Sequence, residues 1–248
     1  MQPGPDVLVV VPALNEAASV GMVVKELGAA VPDVAVLVVD DGSFDGTGAV
    51  AQAAGAIVVR NVFNLGVGGA MRVGIRYALA HGYRAVVQLD ADGQHDPRDI
   101  PVLLAPLDPD GPPQVVIGAR FAGKGDVTVP WARRAAMGLL AHSLSRMTGS
   151  RLTDVTSGFR AHNRATLRIF AHTYPADYLA DTVESLVIAS RAHAAVTQVA
   201  VEMRPRYAGR PSQSAWRATV YLFRIAVTLA LALIRQRPEP VEPEEVPS

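Results

Sequence analysis

The chain of 248 residues contains no cysteine, which excludes a disulfide framework, a thiolate nucleophile and any cysteine-ligated metal. Lysine is nearly absent: of 23 basic residues only Lys25 and Lys124 are lysines. That arginine excess fits a GC-rich genome more readily than dedicated phosphate recognition. Formal net charge is zero, so the basic field that recruits nucleic acid is missing. The opening MQPGPDVLVVVPALNE has no basic leader region, and its apolar run is too short for a secretory signal. A clean apolar stretch of the ~20 residues a spanning helix needs is also lacking. The longest run near the end, ATVYLFRIAVTLALALI at 218–234, is broken by Arg224. It reads either as an amphipathic helix on a membrane surface, with Arg217, Arg224, Arg235 and Arg237 as basic contacts, or as a helix packed on the domain. These features are compatible with a cytoplasmic protein, peripheral on the inner face of the membrane if that helix binds lipid.

What is present is a globular composition, half hydrophobic with 19% charged residues. The length suits one large α/β domain or two small ones. Apolar runs at 7–11, 34–39, 56–60, 85–89 and 115–118 predict five strands. Between them, helices are expected over about 16–30 with Asn15 as cap, over 46–54 with Asp45 as cap, and from the glycine-rich NLGVGG at 64–69 to about His81. Pro97 then opens a further helix. Such alternation implies a mostly parallel, doubly wound sheet, whose ligands sit beyond the carboxyl ends of the strands. After Arg120 the alternation weakens: a glycine-rich loop at 122–126, helices over about 132–148, 163–171 and 180–192, and strands at 155–163 and 196–203. The ending RPEPVEPEEVPS reads as a disordered tail.

Three predicted strand ends carry Asn15-Glu16, Asp40-Asp41 and Asp90-x-Asp92, which converges the acidic residues on one edge. In VVQLDADGQHDP, Asp90 and Asp92 alternate along an extended chain and suit a hard divalent ion such as Mg2+ or Mn2+. A calcium loop is excluded, because Gly93 falls at the fourth loop position instead of the sixth and Pro101 occupies the twelfth. Asp96 reads as a helix cap. Asp41 reads as an acceptor for a nucleobase N–H or ribose hydroxyls, with Asp45 and Thr47 as turn and cap residues. The glycines of NLGVGG stand at 66, 68 and 69 and do not spell GxGxxG; close helix packing explains them as well. Arg120, followed by Arg133 and Arg134, sets cations opposite the acidic loops and suggests an anionic ligand such as a diphosphate.

Taken in order, Pro12-Ala-Leu-Asn15-Glu16, DDGSFDGT, NLGVGGA, LDADGQHDP, VIGARF and DVTSGFRAHN resemble glycosyltransferase family 2, most closely its dolichyl-phosphate mannosyltransferase and polyprenyl-phosphate glycosyltransferase branch. The resemblance covers about residues 7–210. It implies a GT-A-type α/β fold: a mostly parallel Rossmann-like sheet flanked by helices, over 1–212, then a C-terminal amphipathic helix over 213–236 and a tail over 237–248. It further implies that Pro12, Asn15, Glu16, Asp41, Asp90 and Ala91 hold a nucleotide-sugar, and that Asp90, Asp92 and Gln94 hold Mg2+ or Mn2+ on its diphosphate. Arg120 and Arg133 would contact phosphates, and Asp154 would lie beside the acceptor. The branch's R-x-x-G-x-S-K stretch reads Arg206-Tyr-Ala-Gly209-Arg210-Pro-Ser212-Gln here, so its lysine is missing and Arg206 or Arg210 stands in for acceptor binding. The pair of transmembrane helices of some relatives is also absent.

The expected reaction is an inverting, metal-dependent transfer from GDP-mannose or a UDP-hexose to a polyprenyl phosphate. A hydroxyl acceptor is the alternative, with Asp154 as general base. A nucleotidyltransferase also uses paired carboxylates, but opens with a glycine-rich cationic loop where this chain has PALNEAAS. A non-catalytic nucleotide-sugar-binding module and a homo-oligomer stay open.

Overall fold

In a computed structural model of the chain the described residues are 6–120, 131–175 and 181–207, without the side chains of Arg120 and of residues 131–136. The continuous apolar runs become strands buried on both faces. β1 (Val7–Ala13) is buried along its whole length, and its side chains alternate between two cores. Leu8 and Val10 join Met71, Ile75, Phe170 and Leu186 on one side, while Val7, Val9 and Val11 join Leu27, Val87 and Leu103 on the other.

The remaining strands are β2 (Ala35–Asp40), β3 (Ile57–Arg60), β4 (Ala85–Gln88), β5 (Gln114–Arg120), β6 (Arg160–Asn163) and β7 (Ala195–Val201). They form a seven-stranded sheet of order β3-β2-β1-β4-β6-β5-β7. β1 pairs in parallel with β2 and β4, β2 with β3, and β5 with β7. β6 is inserted antiparallel to both β4 and β5, with Gln88 opposite Arg160. The flanking helices are α1 (Val20–Ala30), α2 (Thr47–Ala53), α3 (Gly66–Ala80), α4 (Ile100–Leu104), α5 (Trp131–Thr148), α6 (Arg164–Thr173) and α7 (Asp181–Arg191). The mostly parallel α/β architecture expected from the sequence is present, and its order sets the carboxyl ends of β2, β1 and β4 side by side.

Three local expectations are corrected. The first helix starts at Val20 with Ser19 as its cap, not at Glu16. Asn15 is in the left-handed region at φ 55°, its N–H donates to Ser43 Oγ at 2.9 Å and its Oδ1 accepts Phe44 N–H at 3.0 Å. A tertiary loop-to-loop contact has won over local capping. The second helix begins at Thr47 with Gly46 as cap residue, although Asp45 still accepts the Thr47 N–H at 3.0 Å. The strand expected at 155–163 shortens to Arg160–Asn163. Asp96 does cap: it accepts Arg98 N–H at 2.9 Å and opens a single 3-10 turn at Pro97–Asp99 that leads into α4.

Among the described residues no helix is long and apolar enough to cross a membrane. The loop at 122–126, Arg210, the expected helix at 213–236 and the tail at 237–248 lie outside the described residues.

Candidate active site

The site grows from three loops laced together at the sheet's carboxyl edge. Pro12 and Ala13 complete β1, and the Asp41 N–H donates to the Ala13 carbonyl at 2.9 Å. Beyond them, Glu16 N–H donates to Thr47 Oγ1 at 2.9 Å, and its carboxylate accepts Ser19 Oγ–H at 2.8 Å. Partial burial pushes the Glu16 carboxyl upward, against the pull of the Ser19 hydroxyl and of the Arg206 charge.

Asp41 is buried. Its Oδ1 accepts Asn61 Nδ2–H at 2.7 Å and Leu65 N–H at 2.9 Å, and its Oδ2 accepts Gly66 N–H at 2.8 Å. The residue expected to hold a nucleoside is therefore also the brace that fixes the first turn of α3. Nothing local in the sequence announces that second task, since its partners lie 20 to 25 residues away. The tight glycines of this turn are explained by packing: a side chain at Gly68 would run into the Pro175 carbonyl.

At the tip of β4 the carboxylates differ in setting. Asp90 has a side chain 39% exposed and lies 3.3 Å from His95 Nε2. His95 is buried, stacks on Phe159 at 4.9 Å between ring centres, and its Nδ1 has no partner. The contact with Asp90 is attractive with the proton on Nε2. Asp92 is buried, accepts Gln94 N–H at 2.9 Å, and has Arg206 Nη2 at 3.0 Å from its Oδ2. Burial pushes the Asp92 carboxyl upward and the Asp90 charge adds to this, while the Gln94 N–H, Arg206 and His95 oppose it. Ala91 between them is buried.

Arg206 reaches this loop because residues 203–207 lie along it. Arg204 N–H donates to the Gln94 carbonyl at 2.9 Å and Tyr207 N–H to the Asp92 carbonyl at 3.0 Å. Gly93, at φ 77°, sits under the Tyr207 ring, where any side chain would clash. Arg204 pairs with Glu26 at 2.9 Å and also with Asp96. Arg206 Nη2 lies 3.4 Å from Gln94 Oε1 as well. Sequence reasoning named Arg206 but missed this strap, because strand-like pairing across 110 residues has no local sign.

The wall beyond β4 is pinned by Arg160, which is fully buried. It donates to the carbonyls of Ser157 at 2.8 Å, Val155 at 2.9 Å and Thr182 at 2.8 Å, and to Ser185 Oγ at 3.0 Å. Asp181, at the start of α7, is buried with Oδ2 unpartnered. Burial raises its carboxyl to about 6, with the Arg160 guanidinium opposing. Neither residue stood out in the sequence. Asp154 is buried too, and its Oδ1 accepts Thr156 N–H at 3.2 Å and Oγ1–H at 3.0 Å. Arg120 closes β5 and Arg133 lies in the first turn of α5, but their side chains are outside the described ones, and so is Arg210.

The donor set at the β4 tip is oxygen only: the carboxylates of Asp90 and Asp92 and the amide oxygen of Gln94. That fits a hard divalent ion. The chain's own guanidinium already sits on Asp92, which marks it as a cation-seeking position. Among the described residues no three His, Cys, Asp or Glu side chains gather closely enough to hold a metal alone, so the remaining positions would fall to water and ligand oxygens.

Residues 8–174 match the family model described as Glycosyl transferase family 2. The chain is 35% identical over 175 residues to a polyprenol monophosphomannose synthase of Mycolicibacterium smegmatis, a match covering 67% of this chain and 65% of that protein, just under two thirds of the relative's length. It is 39% identical over 169 residues to an undecaprenyl-phosphate mannosyltransferase of Micrococcus luteus, covering 65% and 68%. Among solved structures, glucosyl-3-phosphoglycerate synthase from Mycobacterium tuberculosis in complex with Mn2+, uridine-diphosphate and phosphoglyceric acid aligns with a TM-score of 0.68 at 25% identity, over 94% of this chain and 80% of that one.

Proposed function

The chain belongs to glycosyl transferase family 2 and is a glycosyltransferase, and from that premise we propose that it transfers a hexose, with inversion, from a nucleotide-sugar to a polyprenyl phosphate. The observation that carries this reading is the cationic demand of Asp92, beside the more open Asp90, on the same sheet edge as Glu16 and Asp41. The names of the relatives support a lipid-phosphate acceptor, and the Mn2+ in the solved relative supports a divalent ion.

Asp90, Asp92 and Gln94 would hold Mg2+ or Mn2+, which when bound supplies positive charge to a departing diphosphate. Asp41, held rigid by three N–H groups, keeps a lone pair of Oδ2 for a nucleobase or ribose. Pro12, Asn15, Glu16 and Ala91 complete that nucleoside side. Arg120 and Arg133 would contact the phosphates, and Arg206 and Arg210 the acceptor. An oxygen of the acceptor phosphate forms the new bond to the anomeric carbon, while the bond to the diphosphate breaks and the nucleoside diphosphate leaves with the electron pair. No proton moves, because a phosphate is already ionised. The setting of Asp154 favours this acceptor over a hydroxyl: a buried carboxylate engaged by Thr156 is poorly placed to take a proton.

The test is a thermal-shift screen of GDP-mannose, UDP-glucose and UDP-N-acetylglucosamine with Mn2+, followed by a transfer assay with the stabilising donor and a polyprenyl phosphate. Formation of a glycosyl lipid phosphate is expected. Binding of a donor without transfer to any polyprenyl phosphate contradicts the acceptor.

A further inference from the structure

We infer that Arg206 is an internal counter-cation of the Asp92–Gln94 site, that a divalent ion displaces it, and that the displaced guanidinium is what meets the acceptor's phosphate. The inference rests on the reading above and adds a coupling to it: metal and acceptor phosphate help each other bind through one arginine.

The geometry has two parts. First, Arg206 Nη2 contacts both Asp92 Oδ2, at 3.0 Å, and Gln94 Oε1, at 3.4 Å. These are two of the three donors expected to hold the ion, so guanidinium and ion compete for the same oxygens. Charge decides the contest. Asp90, Asp92 and Glu16 place three acidic side chains in one electrostatic neighbourhood with the Arg206 guanidinium. A divalent ion on these oxygens neutralises one charge more than the guanidinium it replaces.

Second, the strap fixes where Arg206 goes on release. Its backbone is held on both sides, by Arg204 N–H on the Gln94 carbonyl and by Tyr207 N–H on the Asp92 carbonyl, with the Tyr207 ring seated on Gly93. Arg204 is anchored further on Glu26 and Asp96. With its neighbours tied to the loop, release moves the side chain of Arg206, and its head stays within one side-chain length of Asp92 and Gln94. A phosphate arriving there finds a bidentate cation newly freed of its partner. By thermodynamic reciprocity a phosphate that captures Arg206 must tighten the metal.

The experiment titrates Mn2+ by calorimetry into the full chain, Arg206→Gln and Arg98→Gln, without nucleotide. Arg98→Gln removes the same charge from nearby Asp96, which Arg98 contacts at 2.7 Å, and leaves the Arg206–Asp92 contact in place. Arg206→Gln is expected to bind Mn2+ about fivefold or more tightly than the wild type, and Arg98→Gln to bind it as the wild type does. Farnesyl phosphate is expected to tighten Mn2+ binding more in the wild type than in Arg206→Gln. Equal Mn2+ affinity in wild type and Arg206→Gln, equal tightening in both variants, or an equal farnesyl phosphate effect overturns the exchange and leaves metal-dependent transfer standing. Absence of Mn2+ binding in all three proteins, even with nucleoside diphosphate added, overturns the metal site itself.

Discussion

Asp41 Oδ2 accepts the N–H of Gly66 at 2.8 Å, and so ties the end of β2 to the first turn of α3 across 25 residues. Together with Leu65 N–H and Asn61 on Oδ1, this makes one carboxylate the brace of the side of the site proposed to take the nucleoside. Asp41→Ala takes the acceptor from Asn61 Nδ2–H and Leu65 N–H, and one of the two acceptors from Gly66 N–H, which also donates to Asn64 Oδ1; it is expected to cost about 2 kcal/mol in denaturant unfolding. It should also weaken nucleotide binding. Stability within experimental error of the wild type would contradict the bracing role.

Arg160 performs the same task on the opposite wall. Its guanidinium satisfies the carbonyls of Val155, Ser157 and Thr182 from a fully buried position. Arg160→Met is expected to destabilise the protein by about 3 kcal/mol, and Arg160→Lys to recover only part, since an ammonium cannot span all the acceptors. Equilibrium unfolding of the three proteins checks this; full recovery by lysine would contradict it.

His162 on β6 gives a pH signature. Its ring is buried with both nitrogens unpartnered, and burial holds its pKa down to about 3. An unfolded histidine takes a proton below pH about 6.5, whereas the folded one stays neutral until about 3. Its contribution is therefore full above pH 6.5 and is lost progressively as pH falls toward 3, with a slope of about 1.4 kcal/mol per pH unit. His162→Phe is expected to flatten the stability profile between pH 6 and 4 by roughly that slope. An unchanged profile would contradict a neutral buried ring.

Much of this architecture is legible in the sequence where a residue's environment is set by its neighbours. The run Val7–Val11 announces a strand because both of its faces are buried, and Asp96-Pro97 announces a helix start because cap and proline chemistry are local. The acidic strand ends converge as expected because parallel strand order alone brings β1, β2 and β4 together. What was misread or missed depends on distant contacts. Asn15 looked like a cap but answers to Ser43 and Phe44. The antiparallel direction of β6 has no trace in SGFRAHN. His95 stood in plain view inside the acidic motif, and only the fold reveals that it is buried against Phe159 beside Asp90.

Membrane association is tested through the segment that the sequence singles out. The 248-residue chain is expected to co-sediment with anionic liposomes through the apolar residues of 218–234 and the arginines around them. A chain lacking residues 215–248 should remain in the supernatant. Equal sedimentation of the two would contradict a lipid-binding helix.

The most direct test of the central claim is sugar transfer to polyprenyl phosphate by wild type and Asp92→Asn, each assayed with Mn2+ and with excess EDTA. Wild-type turnover is expected to vanish in EDTA and return with Mn2+, and Asp92→Asn to lose at least about 100-fold in kcat/KM while unfolding at a temperature close to that of the wild type. Full turnover in EDTA, or by Asp92→Asn, would contradict a divalent ion held at the tip of β4.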